Sequence, residues 1–302
     1  MSDLEGDSRG YLEQLRQRLR QEIDGGRFDV ARELCEEAIE RARALGDPEV
    51  LDLATCNRGG ILIAQGEGER AVRDLRKILL RSASPANSFL AAYYVSQHHK
   101  LAGENQRSLF YARLALDHAR HSDHPDFVAS SHNRIANLLM LDSYFDEACG
   151  HFDQALELLP EDHPLDRALI LSNSGYCCAV LGRYPQAFRR LFRSLRVIRD
   201  GCARSWERFP HLGLSFAYLE LGRYERARWH GAKALRRSEE ADSPEQVKNA
   251  LYLLGETEKL GGDEETAWEH FHRLQTEFYP DKPYVTDFLI ATDIRKLINL
   301  MA

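Results

Sequence analysis

The sequence predicts an all-α chain, a solenoid of about seven copies of one helix-turn-helix hairpin followed by one more helix. Three observations carry that expectation. Apolar residues recur at three- and four-residue spacing, as in Leu34, Ala38, Ile39; Leu75, Ile78, Leu79; Phe152, Ala155, Leu156, Leu159; and Leu191, Leu195, Ile198. Such spacing puts them on one helical face, and no window alternates with the period of a strand. Pro48, Pro85, Pro125, Pro164, Pro210, Pro244 and Pro283 each open a new apolar run, as suits a residue whose missing N–H has no partner in a first helical turn. Finally, LGRYPQAFRR (Leu181–Arg190) returns forty residues later as LGRYERARWH (Leu221–His230).

The shared alanine of that stretch sets the register. Its equivalents are Ala31, Ala71, Ser108, Ala148, Ala187, Ala227 and Ala267, at separations of 40, 37, 40, 39, 40 and 40 residues. The first repeat carries Leu19 on its first helix, turns at Gly26 and continues through Ala31 to Ile39. The second opens at Asp47-Pro48, carries Gly59, turns at Gly66 and runs from Ala71 to Leu79. The third follows Ser84-Pro85 through Ser96, Gly103, Ser108 and Leu116; the fourth follows Pro125 through Ala136, Ser143, Ala148 and Leu156. The fifth runs from Pro164 through Gly175, Gly182, Ala187 and Leu195, with Pro185 in the first turn of its second helix. The sixth has Pro210, Ser215, Gly222, Ala227 and Leu235. The seventh has Ser243-Pro244, Gly255, Gly262 and Ala267, but Gln275 where the others are apolar.

Glycine five residues before the reference supplies the left-handed conformation that ends a helix. Asp47, Ser84 and Ser243 are expected N-caps. Residues 1–10 are expected to be disordered, residues 11–282 to form the solenoid, and residues 283–302 to form one C-terminal capping helix. Val285, Phe288, Leu289, Ile294, Leu297 and Ile298 would lie mostly on one side of it. The alternative for this tail is that Ile298, Leu300 and Met301 protrude and dock a partner or a second copy.

The pattern resembles the tetratricopeptide repeat. Its fullest match is Asn133 to Pro160, with Ala136, Tyr144-Phe145, Ala148, Phe152, Ala155 and a closing Pro160. The resemblance covers roughly residues 11–280, with a longer period than the family's usual one of about 34 residues. Small residues such as Gly175 and Ala187 would let paired backbones approach closely, and aromatics after the turn (Phe28, Phe145, Tyr184, Tyr224) would wedge between repeats. Gly68, Asn105 and Glu264 depart from that aromatic position.

The resemblance implies a right-handed superhelix whose first helices line a concave groove. By register, the groove positions are Tyr93, Gln97, Asn133, Asn137, Asn173, Tyr176, Phe216, Tyr252 and Glu256. Amides and aromatics suit an extended peptide, since amides satisfy its backbone and rings give area at small entropic cost. One subclass of the family clamps chaperone C-terminal carboxylates with lysine, asparagine and arginine. Asn133, Asn137 and Asn173 match it, but Phe209 and Gly213 stand at the two basic positions, which argues against that ligand.

Composition narrows the function classes. The chain has 302 residues, 43% hydrophobic and 29% charged, with a formal charge of −7. That balance disfavours general nucleic-acid binding. No run of eighteen apolar residues exists to span a membrane, and no apolar export signal leads the chain. Six cysteines without C-x-x-C spacing read as buried reduced thiols of a cytoplasmic protein. No phosphate loop, H-E-x-x-H or G-x-S-x-G motif is present, and no cofactor or catalytic residue is expected. His118, His121 and His124 lie near a helix end, where solvated histidines outweigh a metal site. Arg189, Arg193 and Arg196 form a candidate basic patch. The expected function is a non-enzymatic scaffold or adaptor that binds a peptide or partner protein, within a regulatory complex. The alternative is a peptide- or effector-responsive regulatory subunit controlling a partner enzyme or transcription factor.

Overall fold

A computed structural model of the chain describes residues 14, 18–19, 21–22, 27–160, 163–201 and 203–300. Residues 1–10, Gly26, Cys202 and Met301 lie outside the described residues. Among the described residues are fourteen α-helices, one 3-10 turn and no strand. The helices are α1 (Phe28–Leu45), α2 (Pro48–Ala64), α3 (Gly68–Arg81), α4 (Pro85–Leu101), α5 (Asn105–Arg120), α6 (Pro125–Leu141) and α7 (Phe145–Leu158). They continue as α8 (Pro164–Val180), α9 (Tyr184–Asp200), α10 (Arg208–Glu220), α11 (Tyr224–Glu240), α12 (Pro244–Gly261), α13 (Glu264–Phe278) and α14 (Val285–Ala291). From α2 to α12, even-numbered helices are the first members of hairpins. The chain divides into two compact units, residues 1–131 and 132–302.

The turns obey the sequence register. Gly66, Gly103, Gly182, Gly222 and Gly262 all have positive φ, and Ser143 takes the same place with φ 64°. Around Gly182 the chain closes the preceding helix by donating Gly182 N–H to Ala179 O and Arg183 N–H to Cys178 O, at 3.0 and 2.8 Å. The N-caps agree in part. Asp47 accepts from Glu49 and Val50, and Ser84 accepts from Asn87. Ser243 does not cap, because its hydroxyl donates to the Gln246 side chain instead. Pro210 sits inside the first turn of α10, since the 3-10 turn Arg204–Glu207 leads directly into Arg208.

The small residues act as sockets, each accepting a knob from the paired helix. A Cβ on Gly59 would stand 3.1 Å from Leu75, one on Gly175 would stand 2.6 Å from Leu191, and one on Gly255 would overlap the Phe271 ring. In each case the knob lies four residues after the reference alanine, one turn along the second helix. In the third repeat two serines replace this device. Ser96 and Ser108, both fully buried, donate their hydroxyls to each other's main-chain carbonyls at 2.9 and 2.8 Å. Leu19 is buried in the first repeat's core beside Ala31, Leu34 and Ile39. Gly68 departs from the aromatic pattern because His98 fills its space; a Cβ there would overlap the His98 ring.

The single helix expected over residues 283–302 is corrected. Only Val285–Ala291 is helical, and residues 292–300 are non-helical apart from a short turn. The physical reason is local: the Asp293 carboxylate accepts the Arg295 N–H at 3.1 Å, an Asx-type turn that competes with helix continuation. Phe288 and Leu297 are exposed rather than on a common buried side, while Leu289 is buried.

Candidate functional site

In the second unit, the sequence-expected groove residues on α6, α8, α10 and α12 fall into connected groups. Asn173 donates its amide to Asn137 Oδ1 at 2.8 Å, and Asn137 donates to Asn133 O and Oδ1 at 2.8 and 3.0 Å. This amide ladder links α6 to α8. Tyr176 lies against Phe216 of α10, ring centroids 5.6 Å apart, and against Phe145 at 6.1 Å. Glu256 on α12 is fully buried and accepts from Lys259 Nζ at 2.7 Å. Burial raises its pKa, opposed by Lys259. Tyr252, one turn earlier, has its pKa raised by burial and by Glu256. Neither the Tyr252 hydroxyl nor Glu256 Oε2 has a hydrogen-bond partner.

Residues 289–300 of the same unit lie across these side chains. Lys259 Nζ donates to Leu289 O and Thr292 O, at 2.7 and 2.9 Å. Arg295 pairs with Glu220 Oε1 at 3.0 Å, and its Nε approaches Glu256 Oε2 at 3.8 Å. Asp293 braces the guanidinium, which pulls the Asp293 pKa down to about 2. Asn299 donates to Met140 O at 2.7 Å, and to Leu141 O and Ser143 Oγ at 3.2 Å. Leu300 N–H donates to the Tyr176 hydroxyl at 3.2 Å, and Asn249 donates to Leu300 O at 2.5 Å. Burial raises the Tyr176 pKa, so the phenol is neutral when it accepts that bond. The segment thus touches α6, α8, α10 and α12, and four of its main-chain groups are held by side chains.

The remaining site expectations fall elsewhere. Tyr93 and Gln97 lie on α4, in the first unit, where Tyr93 is half-buried against Phe89 and Tyr94. Arg189, Arg193 and Arg196 form an exposed row on α9, and Arg196 borders a hollow with Arg199, His211 and Trp229. Arg190, next to that row, faces inward to Ser174 and Asp153. The three histidines have separate surroundings: His118 is half-buried, His121 contacts Asp117 O, and His124 packs on Phe127. Gly213 leaves no space for a basic side chain, since a Cβ there would lie 2.7 Å from Leu191.

Glu220, Asn249, Lys259, Arg295 and Asn299 are not among the register-derived groove positions. Glu220 has a readable signal, for at its place in the register the neighbouring repeats have Leu141, Val180 and Leu260. A carboxylate where the repeat wants an apolar residue marks a departure from packing alone.

No family model matches the chain. Over 149 residues it is 28% identical to the outer dynein arm-docking complex subunit 4 of Danio rerio, covering 49% of this chain and 30% of that protein. The chain therefore spans about a third of the length of that relative. Among solved structures, it is similar to a Rap protein complexed with competence and sporulation factor (TM-score 0.65, 14% identity, 87% of this chain and 76% of that one). It is also similar to a tetratricopeptide repeat protein of Parabacteroides merdae (TM-score 0.54, 17% identity, 92% and 97%). These likenesses show the fold, a helical solenoid of the tetratricopeptide type.

Proposed function

We propose that the chain is a non-enzymatic protein-interaction module of the cytoplasm whose second unit holds a segment of a partner protein. The observation that carries this reading is the chain's own segment, whose main-chain groups at Leu289, Thr292 and Leu300 are bonded by Lys259, Tyr176 and Asn249. Side chains that bond main-chain groups hold a segment largely regardless of its sequence, which is what a peptide-binding surface requires. The Rap complex and the docking-complex subunit support the reading as similar proteins whose names describe association. The five described cysteines are buried free thiols, in keeping with a reducing compartment. A groove already occupied by its own chain favours a regulated module over a constitutive scaffold. The basic row at Arg189, Arg193 and Arg196 would make a secondary contact.

Selection of a displayed peptide library tests the reading, using a shortened chain ending at Ala291, free of the tail that Tyr176 and Asn249 hold, and its Tyr176→Phe, Asn249→Ala variant. Recovered peptides should bind the shortened chain and lose at least tenfold in the variant. Peptides that ignore both changes, or recovery of none together with turnover of some substrate, would refute it.

A further inference from the structure

The second unit contains more than a generic groove. On α10 and α12, Glu220, Tyr252 and Glu256 surround the place where Arg295 lies. Glu256 is completely buried and Tyr252 is 6% exposed, yet Glu256 Oε2 and the Tyr252 hydroxyl make no hydrogen bond. Buried oxygens are almost always bonded, and an orphaned carboxylate oxygen is costly. Lys259 occupies the other Glu256 oxygen. Arg295 engages Glu220 well but reaches Glu256 only to 3.8 Å, because two of its nitrogens are held by its own Asp293. The site is built for a guanidinium and only partly satisfied by the one it holds.

We propose that this site selects an arginine in a segment of a partner protein that turns as residues 294–298 do, and that residues 292–300 are an internal stand-in that must leave first. This rests on the groove reading above and gives it a chemistry. Arginine fits better than lysine because its planar fork carries donors for two carboxylates at once, as Arg295 already pairs with Glu220 while approaching Glu256. A second point of recognition lies four residues on. The Asn299 amide donates to Met140 O, Leu141 O and Ser143 Oγ at the α6–α7 turn, so a side-chain amide at that spacing is favoured. A tethered segment acts at a high effective concentration, about millimolar for short linkers, so an outside ligand binds in proportion to how often the tail is released.

The test uses a fluorescein-labelled nonapeptide of residues 292–300, TDIRKLINL, as probe. It is titrated into the full chain and into a chain ending at Ala291. The peptide should bind the shortened chain saturably, and the full chain at least tenfold more weakly. A peptide with alanine in place of its arginine should lose at least tenfold, and one with lysine should fall between. If the shortened chain does not fold, the full chain carrying Arg295→Ala and Asn299→Ala replaces it; its tail amides should exchange hydrogen faster, and it should bind the probe more tightly than the parent. Equal binding to parent and released chains would overturn the proposal, as would indifference to the arginine, or no binding by a folded released chain. A full-length dimer that excess peptide converts to monomer would mean that a second copy is the occupant, and would overturn it too. If library selection yields groove ligands without arginine preference, the groove reading stands and this inference falls. If nothing binds, both fall.

Discussion

Leu191 tests the knob-and-socket packing most directly. It is fully buried on α9 and faces two glycines on consecutive first helices. A Cβ would lie 2.6 Å from it at Gly175 and 2.7 Å from it at Gly213. Leu191→Ala should cost about 3–5 kcal/mol, the range for buried leucines whose cavity cannot collapse. Gly213→Ala in the parent has two opposed effects. Overpacking costs about 1–3 kcal/mol, and the better helix former returns about 1 kcal/mol. The net effect is a loss of up to about 2 kcal/mol. In the Leu191→Ala background the clash is gone, so the same change should gain about 1–2 kcal/mol from helix propensity and the added buried methyl. The effect therefore turns from a loss to a gain, with a coupling of about 1–4 kcal/mol, above the few tenths seen between independent sites. Because repeat arrays can unfold in pieces, hydrogen exchange at α8–α10 amides should be read beside urea midpoints. If Gly213→Ala destabilises equally in both backgrounds, Leu191 is not the knob and the reasoning is wrong.

Three further outcomes are expected. Gly182→Ala should cost about 1–2 kcal/mol for a non-glycine residue in the left-handed turn, whereas Gly150→Ala, mid-helix with nothing within 4 Å of the new methyl, should gain about 0.5–1 kcal/mol; thermal melts giving both the same sign would refute this. Ser96→Ala and Ser108→Ala should each cost about 0.5–1.5 kcal/mol, one net hydrogen bond apiece; each hydroxyl donates to a main-chain carbonyl that survives substitution of its partner, so the two losses should nearly add, and a double variant no less stable than either single one would count against reciprocal bonding. His211 and His230, Nδ1 to Nδ1 at 2.8 Å, have their pKa values pushed down from 6.5 to about 3 and about 4, chiefly by burial and with Arg199 adding repulsion. The unfolded chain then binds more protons than the folded one below pH about 6.5, so stability is complete above that pH and falls towards pH 4, by ~2 kcal/mol per histidine at pH 5; a urea midpoint as steep between pH 7 and 5 in a His211→Leu, His230→Leu variant would refute the assignment.

The repeat is legible in the sequence because each of its signals has a single physical origin. Glycine five residues before the reference is a backbone requirement, and every described turn glycine has positive φ. Ser143 meets the same requirement without being glycine, which is why register identifies it where composition cannot. The small position twelve residues before the reference predicts close backbone approach, and in the structure it is a socket for Leu75, Leu191 and Phe271. The departure at Gly68 is unreadable for a related reason: the atom that explains it belongs to His98 in the next repeat, and no periodic rule links the two.

The docking of the tail is less legible, and its own composition explains why. Periodicity finds segments that bury a face, but residues 292–300 are held chiefly by main-chain groups and by Arg295 and Asn299. Such a segment has no pattern of its own; its specification lies in the surface that receives it. That surface does leave a trace. Glu220 stands in a row of apolar residues, and Glu256 is the acid in a register that holds Gln97, Asn137, Tyr176 and Phe216 in the third to sixth repeats. A buried and a half-buried carboxylate cost stability unless something positive meets them. Lys259 meets one oxygen of Glu256, and the other is left for a group that the tail's arginine approaches without reaching. Both acidic departures border the same few ångströms of α10 and α12, so the breaks in the repeat converge on one place: the point where a guanidinium would be bound.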